Sequence, residues 1–360
     1  MFVMAAILLG CCLSISCKHN GENKEKPKPI TDSLKYFTEQ IAKHPKDAEL
    51  YYARAKWQFE HELYEEAALD VRHALDLKNN VAKYYLLSAD INFKQNQLDD
   101  AEENLKKALE LDPESNEIRI QLAKMYYLHG NKAPSRYDDC LAMTMEAITK
   151  QPMNPDAYYL AAQCYAAKGD TATYLHRLLQ VVEQNPNDVR TYLELGYFYQ
   201  KHNDATCLSY YQNALRAEPD NAEILYNMGT YYKDHHQYDL ACEKFLTLVS
   251  KHPDGAFVKL STTQVADYVA HAYYNMGVMY FEKGDYKTAV ENFTAAIKRD
   301  DVFASAYLER GQSYEELGEF TKARTDYEMA RDLVSGMTMN KEFREIENEA
   351  VKGLNALDKK

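Results

Sequence analysis

The signatures of common catalytic chemistry are missing from this sequence: it has no G-x-S-x-G nucleophile turn, no P-loop, no H-E-x-x-H pair and no dinucleotide-binding glycine fingerprint. Cysteine is sparse, seven in all. The four beyond position 17 (Cys140, Cys164, Cys207 and Cys242) form neither a C-x-x-C nor a Cys/His cluster with zinc-ligand spacing. No cofactor and no metal are expected, and the chain reads as a non-enzyme. Positive charge is in deficit, with 42 Lys and Arg against 55 Asp and Glu, a net −13. Residues 1–17 carry no charged side chain, so the whole excess lies on the remainder, which disfavours general nucleic-acid binding. After residues 2–15 no apolar run is long enough to span a bilayer, so the rest of the chain is expected in water. His235-His236 falls in a polar turn, and His44 and His252 each precede a proline that ends a helix, late-helix positions that suit the helix dipole. The carboxylate runs Glu65-Glu66, 99–103 and Glu315-Glu316 read as solvated helical faces.

What is present is a period. A small residue recurs at Ala55, Ala89, Ala123, Ala162, Gly196, Gly229, Gly277 and Gly311, with successive spacings of 34, 34, 39, 34, 33, 48 and 34. The pattern around the anchor is clearest in Tyr273-Tyr274-Asn275-Met276-Gly277-Val278-Met279-Tyr280, followed by Gly284-Asp285-Tyr286, Ala289, Phe293 and Ala296. Each copy holds two apolar stripes at helical spacing, separated by a short polar turn such as Lys283-Gly284-Asp285, and therefore reads as a helical hairpin. Small residues at the anchor and at Ala101, Ala241, Ala289 and Ala323 let the helices approach, while Tyr and Phe fill the space around them. A lone hairpin cannot bury its apolar face but stacked neighbours can, so the period implies an all-α solenoid. Prolines 113, 152, 186, 219 and 253 stand where the second helix of a hairpin must stop.

The pattern resembles the tetratricopeptide repeat (TPR) family, whose units carry a large residue, Leu-Gly, Tyr, Ala, Phe, Ala and Pro at set offsets. One unit matches through Leu225, Met228-Gly229, Tyr232, Ala241, Phe245 and Pro253, and another through Tyr307, Gly311, Tyr314, Ala323, Tyr327 and Ala330. Weaker units stay in phase, with Tyr85, Ala89, Ala101, Leu105, Ala108 and Pro113 in one and Tyr158, Ala162, Tyr165 and Pro186 in another. The resemblance covers roughly residues 48–337. It implies a right-handed α-solenoid of eight helix-turn-helix units, starting near 48, 82, 116, 155, 189, 222, 270 and 304. Residues 31–47 and 338–360 read as capping helices, since a bare terminal repeat would expose half an interface. Tyr174 stands where the family has a small residue and is expected to push two helices apart. Insertions fall at 131–136, as a longer turn, and at 254–269, either extending a first helix or forming a hinge. The four later cysteines lie near small-residue positions, as small buried apolar side chains. In an oxidising compartment Cys140 and Cys164 are the two placed to meet across neighbouring hairpins.

The N-terminal run, 2–15, has the length of a signal-peptide core and ends in Ser14-Ile15-Ser16-Cys17-Lys18, followed by a charged tether over 18–30. Small residues before a cysteine at that place resemble a bacterial lipobox, with Cys17 the lipidated first residue of the mature chain. Leu8-Leu9-Gly10-Cys11 also fits the motif but leaves a shorter core. The resemblance implies an acyl-anchored protein of the cell envelope, facing the periplasm or the cell exterior, with the outer membrane favoured by Lys18. An uncleaved anchor, or a start codon placed wrongly, is the alternative.

In the TPR family certain positions of each first helix line a concave face. Transferred to this chain, they are Tyr52, Lys56 and Phe59; Lys83, Asp90 and Phe93; Gln121, Lys124 and Tyr127; Tyr159 and Gln163; and Arg190, Glu194 and Tyr197. Further along they are Tyr226, Asn227 and Lys233; His271, Tyr274, Asn275 and Phe281; and Glu309 and Gln312. Aromatic rings with interspersed amides and charges suit an extended peptide or a helix. Asn227 and Asn275 occupy the position where peptide-binding members contact ligand backbone, whereas the Lys, Asn and Arg set that grips chaperone tails is not found. The expected function is a membrane-tethered scaffold for another envelope protein, with a peptide- or glycan-fragment-binding module as the alternative. Enzymatic activity would have to come from the 254–269 insertion.

Overall fold

The computed structural model describes residues 30–259, 265–335 and 341–359, so the leader with Cys17, most of the tether, and Ser261, Thr262 and Thr263 of the insertion lie outside the described residues. Among the described residues there are eighteen α-helices and one small β-hairpin. The chain forms two compact units, one through Ile118 and one from Arg119.

In the first unit a lone helix, α1 (Ile30–Lys43), precedes the hairpins α2 (Ala48–Glu60)/α3 (Tyr64–Leu77) and α4 (Ala82–Lys94)/α5 (Leu98–Leu111). Helix α6 (Asn116–Gly130) begins at its edge and pairs with α7 (Arg136–Lys150) in the second unit. The hairpins α8 (Pro155–Ala167)/α9 (Thr171–Gln184), α10 (Val189–Lys201)/α11 (Thr206–Ala217) and α12 (Ala222–Asp234)/α13 (Tyr238–Lys251) follow. After the insertion come α14 (Tyr268–Glu282)/α15 (Tyr286–Arg299) and α16 (Ala304–Glu316)/α17 (Phe320–Val334), closed by α18 (Lys341–Leu357). Apolar residues of α17 and α18 share one core, which gives the last hairpin a partner for its outer face.

Local chemistry sets these boundaries. Asp47, Asn154, Asp170, Asp188, Asn221 and Asp285 each accept a first-turn N–H at a helix start. Helices α5, α7, α9, α11 and α13 all stop two residues before a proline, whose ring excludes the preceding residue from the helical region. Within every hairpin but α6/α7 the turn passes through one left-handed residue. At Gly284 (φ 78°) this is free of strain, but Glu62, Asn96, Asn203 and His236 also adopt it, at a cost of about 1–2 kcal/mol each.

The anchors carry the packing. A β-carbon at Gly196 would lie 2.3 Å from Tyr211, at Gly229 2.5 Å from Phe245, at Gly277 2.6 Å from Phe293 and at Gly311 2.9 Å from Tyr327. Where the anchor is Ala55, Ala89 or Ala162, the buried residue at the corresponding place is aliphatic, namely Val71, Leu105 or Leu178. Tyr174, on α9, meets Phe198 edge-on in the next hairpin, and its hydroxyl bonds to Glu194, while Ala162, Leu178 and Val181 still form a common core for its own hairpin.

Two features were not anticipated. The described part of the 254–269 insertion is mostly strand and turn and extends the following first helix by only two residues beyond the expected start at 270. It is an antiparallel pair, β1 (Phe257–Lys259) and β2 (Val265–Asp267), with α14 starting directly after it at Tyr268. Its β-branched sequence, Val258, Thr262, Thr263 and Val265, has no helical period. Asp267 fixes its base by accepting the N–H groups of Ala256 (2.9 Å) and Val269 (3.0 Å) and an ion pair from Arg299 (2.7 Å). The second feature is a matched ion pair in the first and last hairpins. Arg54 donates twice to Asp70 (2.6 Å each) and once to Thr38 (3.1 Å); Arg310 donates to Asp326 (2.7 and 2.8 Å) and Thr294 (3.1 Å).

Candidate functional site

In the first unit the predicted face is built from α2 and α4. Tyr52 lies 5.1 Å from Tyr84, and Lys83 Nζ stands 4.8 Å over its ring. Glu49 ties this group together, accepting from Lys83 (2.7 Å) and from the Tyr84 hydroxyl (2.8 Å). Those bonds, the one from Lys83 foremost, hold its carboxyl below the usual range. Lys56 is exposed, Phe93 is 38% exposed, and Phe59 turns into its own hairpin against Tyr64, at 5.7 Å.

In the second unit the side chains of α8, α9 and α10 converge on Glu194. It accepts from the hydroxyl of Tyr159, from Gln163 Nε2 (2.8 Å) and from the Tyr174 hydroxyl (3.2 Å). The guanidinium of Arg190 lies 3.6 Å from the centroid of the Tyr159 ring. Burial pushes the Glu194 carboxyl upward, and the three donors and Arg190 only partly oppose it. Tyr127 is half-buried 5.8 Å from Tyr137, with burial raising its hydroxyl to about 12. Lys124 is exposed, and Tyr197 is the most open of the predicted rings, at 62%.

Further along the same unit, Tyr226 stands 5.1 Å from Tyr268 and edge-on to His271, which leans on Phe303 at 4.9 Å; Phe303 in turn lies 5.0 Å from Tyr274. This makes a run of five rings. Asn275 is only 4% exposed; it accepts from Lys233 (2.9 Å) and donates to Tyr226 (3.4 Å). Asn227 has no side-chain hydrogen bond among the described residues and is half-buried. Of the two asparagines implied by the TPR resemblance, one is therefore engaged internally and the other is open. Phe281 packs edge-on against Tyr286 at 5.3 Å.

Sequence reasoning placed Glu194 on this face but not at the centre of a network, and did not see that Tyr174 joins it. No local pattern marks it, because Tyr159 lies 35 residues and Tyr174 20 residues from Glu194. Cys140, Cys164, Cys207 and Cys242 are all thiols. Cys140 and Cys164 lie within one buried cluster, and burial raises Cys207 to about 11. Among the described residues there is no cluster of three or more His, Cys, Asp or Glu able to hold a metal, and no helix is long and apolar enough to cross a membrane.

Tetratricopeptide repeat models match residues 89–130, 156–188, 210–243 and 274–337. No curated protein matches the chain. Among solved structures, the C-terminal part of a TPR repeat-containing protein from Cytophaga hutchinsonii aligns over 62% of this chain and 91% of its own, at 17% identity and a TM-score of 0.50, a likeness of fold. A tetratricopeptide repeat protein from Parabacteroides merdae aligns over 75% of this chain and 98% of its own, at 17% identity and a TM-score of 0.46. YrrB, a TPR protein with an unusual peptide-binding site, aligns over 53% of this chain and 97% of its own, at 21% identity and a TM-score of 0.42. The helical hairpins within those four matched stretches are tetratricopeptide repeats.

Proposed function

We propose that this protein is a scaffold that holds a partner protein or peptide against the first-helix face of its repeats. The observation that carries the reading is the ring and amide surface of the second unit, which includes the exposed ring of Tyr197, the uncommitted amide of Asn227 and the five-ring run from Tyr268 to Tyr274. Rings supply contact area at low entropy cost, and an open amide can bond a ligand's backbone. The envelope address and the acyl anchor at Cys17 are part of the proposal and are supported by the sequence of residues 2–18.

Crosslinking in intact cells, followed by affinity capture and mass spectrometry of the tagged full-length chain, tests the scaffold. One envelope protein recovered in near-stoichiometric yield, and lost when Tyr197, Tyr226, Asn227 and Tyr274 are changed together, is the expected result. Capture that survives those changes would remove the groove from the account. A chain with no enriched protein partner, but with a thermal shift on a peptide or glycan fragment, would favour the second reading, a small-ligand module of the same face. Palmitate labelling lost in Cys17→Ala but retained in Cys11→Ala tests the anchor.

A further inference from the structure

Three joints of the array set the same pair of positions together. The tyrosine at the fifth position of one first helix is met by the residue at the second position of the next, over the ring face at two joints and edge-on at the third. Lys83 lies 4.8 Å over Tyr52, Arg190 lies 3.6 Å over Tyr159, and His271 lies 6.3 Å from Tyr226. At the fourth such joint the tyrosine is Tyr274 and the covering position is Ser305, which brings no charge. The sixth position repeats as well. Glu194 takes the hydroxyl of Tyr159 beneath Arg190, and its counterpart on α16 is Glu309.

The carboxylate of Glu309 has neither a hydrogen bond nor an ion pair among the described residues. By repeat register Glu309 stands to Tyr274 as Glu194 stands to Tyr159, and burial raises its carboxyl, with Glu282 adding to the effect. Four cations of the surrounding helices are committed elsewhere: Lys233 to Asn275, Lys283 to Asp239, Arg299 to Asp267 and Arg310 to Asp326. Phe303, 5.0 Å from Tyr274, adds a second ring but no charge. A half-buried anion beside aromatic rings attracts a cation through both the ring quadrupole and the unsatisfied carboxylate.

We infer that Tyr274, Phe303 and Glu309 receive the cationic head of a lysine or arginine side chain carried by the partner, at the place where Arg190 and Lys83 serve the other joints from within. The inference rests on the scaffold reading and adds the partner's chemistry, a basic segment. The test places a fluorine-labelled tyrosine at position 274 of the full chain and titrates it, by fluorine NMR, with N-acetyl-arginine methylamide and its neutral isostere N-acetyl-citrulline methylamide. The arginine compound should give a saturable shift and the citrulline compound should bind about tenfold more weakly. Glu309→Gln removes the anion and Ser305→Arg fills the place from inside, so each should weaken the arginine response about tenfold while helical circular dichroism is unchanged. Equal responses to the two compounds, no saturable arginine response, or an arginine response that both variants leave intact would overturn the inference. If the variants do not fold, the comparison of the two compounds on the unaltered face still decides. Partner capture uses neither compound, so a captured partner without arginine preference would remove this site and leave the scaffold standing.

Discussion

The ring of Tyr211 occupies the space in which any side chain at position 196 would begin: a β-carbon on Gly196 would meet Tyr211 Cε1 at 2.3 Å. In an unconstrained helix interior, Gly196→Ala would gain about 1 kcal/mol. Here the collision should reverse the sign, for a net loss of about 1–3 kcal/mol. Urea unfolding followed by circular dichroism checks it. Adding Tyr211→Leu should recover part of the loss, because residues in contact are energetically coupled. A single variant more stable than the parent would show that the ring moves aside freely.

Removing one partner of a buried charge pair leaves the other stranded. Asp326 is buried and takes two bonds from Arg310, so Asp326→Asn should cost about 3 kcal/mol. Replacing both residues by apolar ones of similar volume should cost less. Hydrogen exchange of α16 and α17 is the suitable readout, since loss in a repeat array is felt first where it is made.

Glu309 sets a slope of stability with pH. Its carboxyl, ordinarily at 4.5, is held higher in the folded chain by burial and then by Glu282. Between those two values the folded state binds more protons than the unfolded state, so stability falls as pH rises through the window and stays lower above it. Glu309→Gln should therefore be more stable than the parent at neutral pH and lose that share of the decline, while Glu194, also raised, keeps its own. Urea midpoints taken at mildly acidic and at neutral pH give the comparison; identical midpoints at neutral pH would contradict it.

Thiol reactivity should follow burial. Among the four described cysteines only Cys242 is partly open, whereas Cys140, Cys164 and Cys207 are buried with no exposed surface. Timed alkylation with peptide mass mapping should modify Cys242 first and leave the other three until the chain opens. Early labelling of Cys140 or Cys164 would mean that the joint between α7 and α8 opens locally.

The hairpins were legible because volume at the anchor is dictated by how closely two helices approach, which forces a small residue there in every copy. The polar network was not, because its bonds join residues about one repeat apart, such as Tyr159 to Glu194 and Lys83 to Glu49. A position that faces the groove by count can still be consumed by its neighbour, as Asn275 is by Lys233, or left open, as Tyr197 is. The strands of the insertion are three residues each, too short for an alternating pattern to stand out from a loop.

The two kinds of seam, alanine with an aliphatic residue and glycine with a ring, bear on how such repeats change into one another over generations. Converting the Gly229–Phe245 seam to the alanine kind takes two substitutions, and neither order is neutral. If the ring shrinks first, it leaves a hole that costs about 3–5 kcal/mol in the extreme of alanine; if the anchor grows first, the crowding costs about 1–3 kcal/mol. Either intermediate survives only on surplus stability lent by adjacent hairpins. Anchor and ring are thus inherited as a pair, and descendants of this chain should exchange them together or not at all.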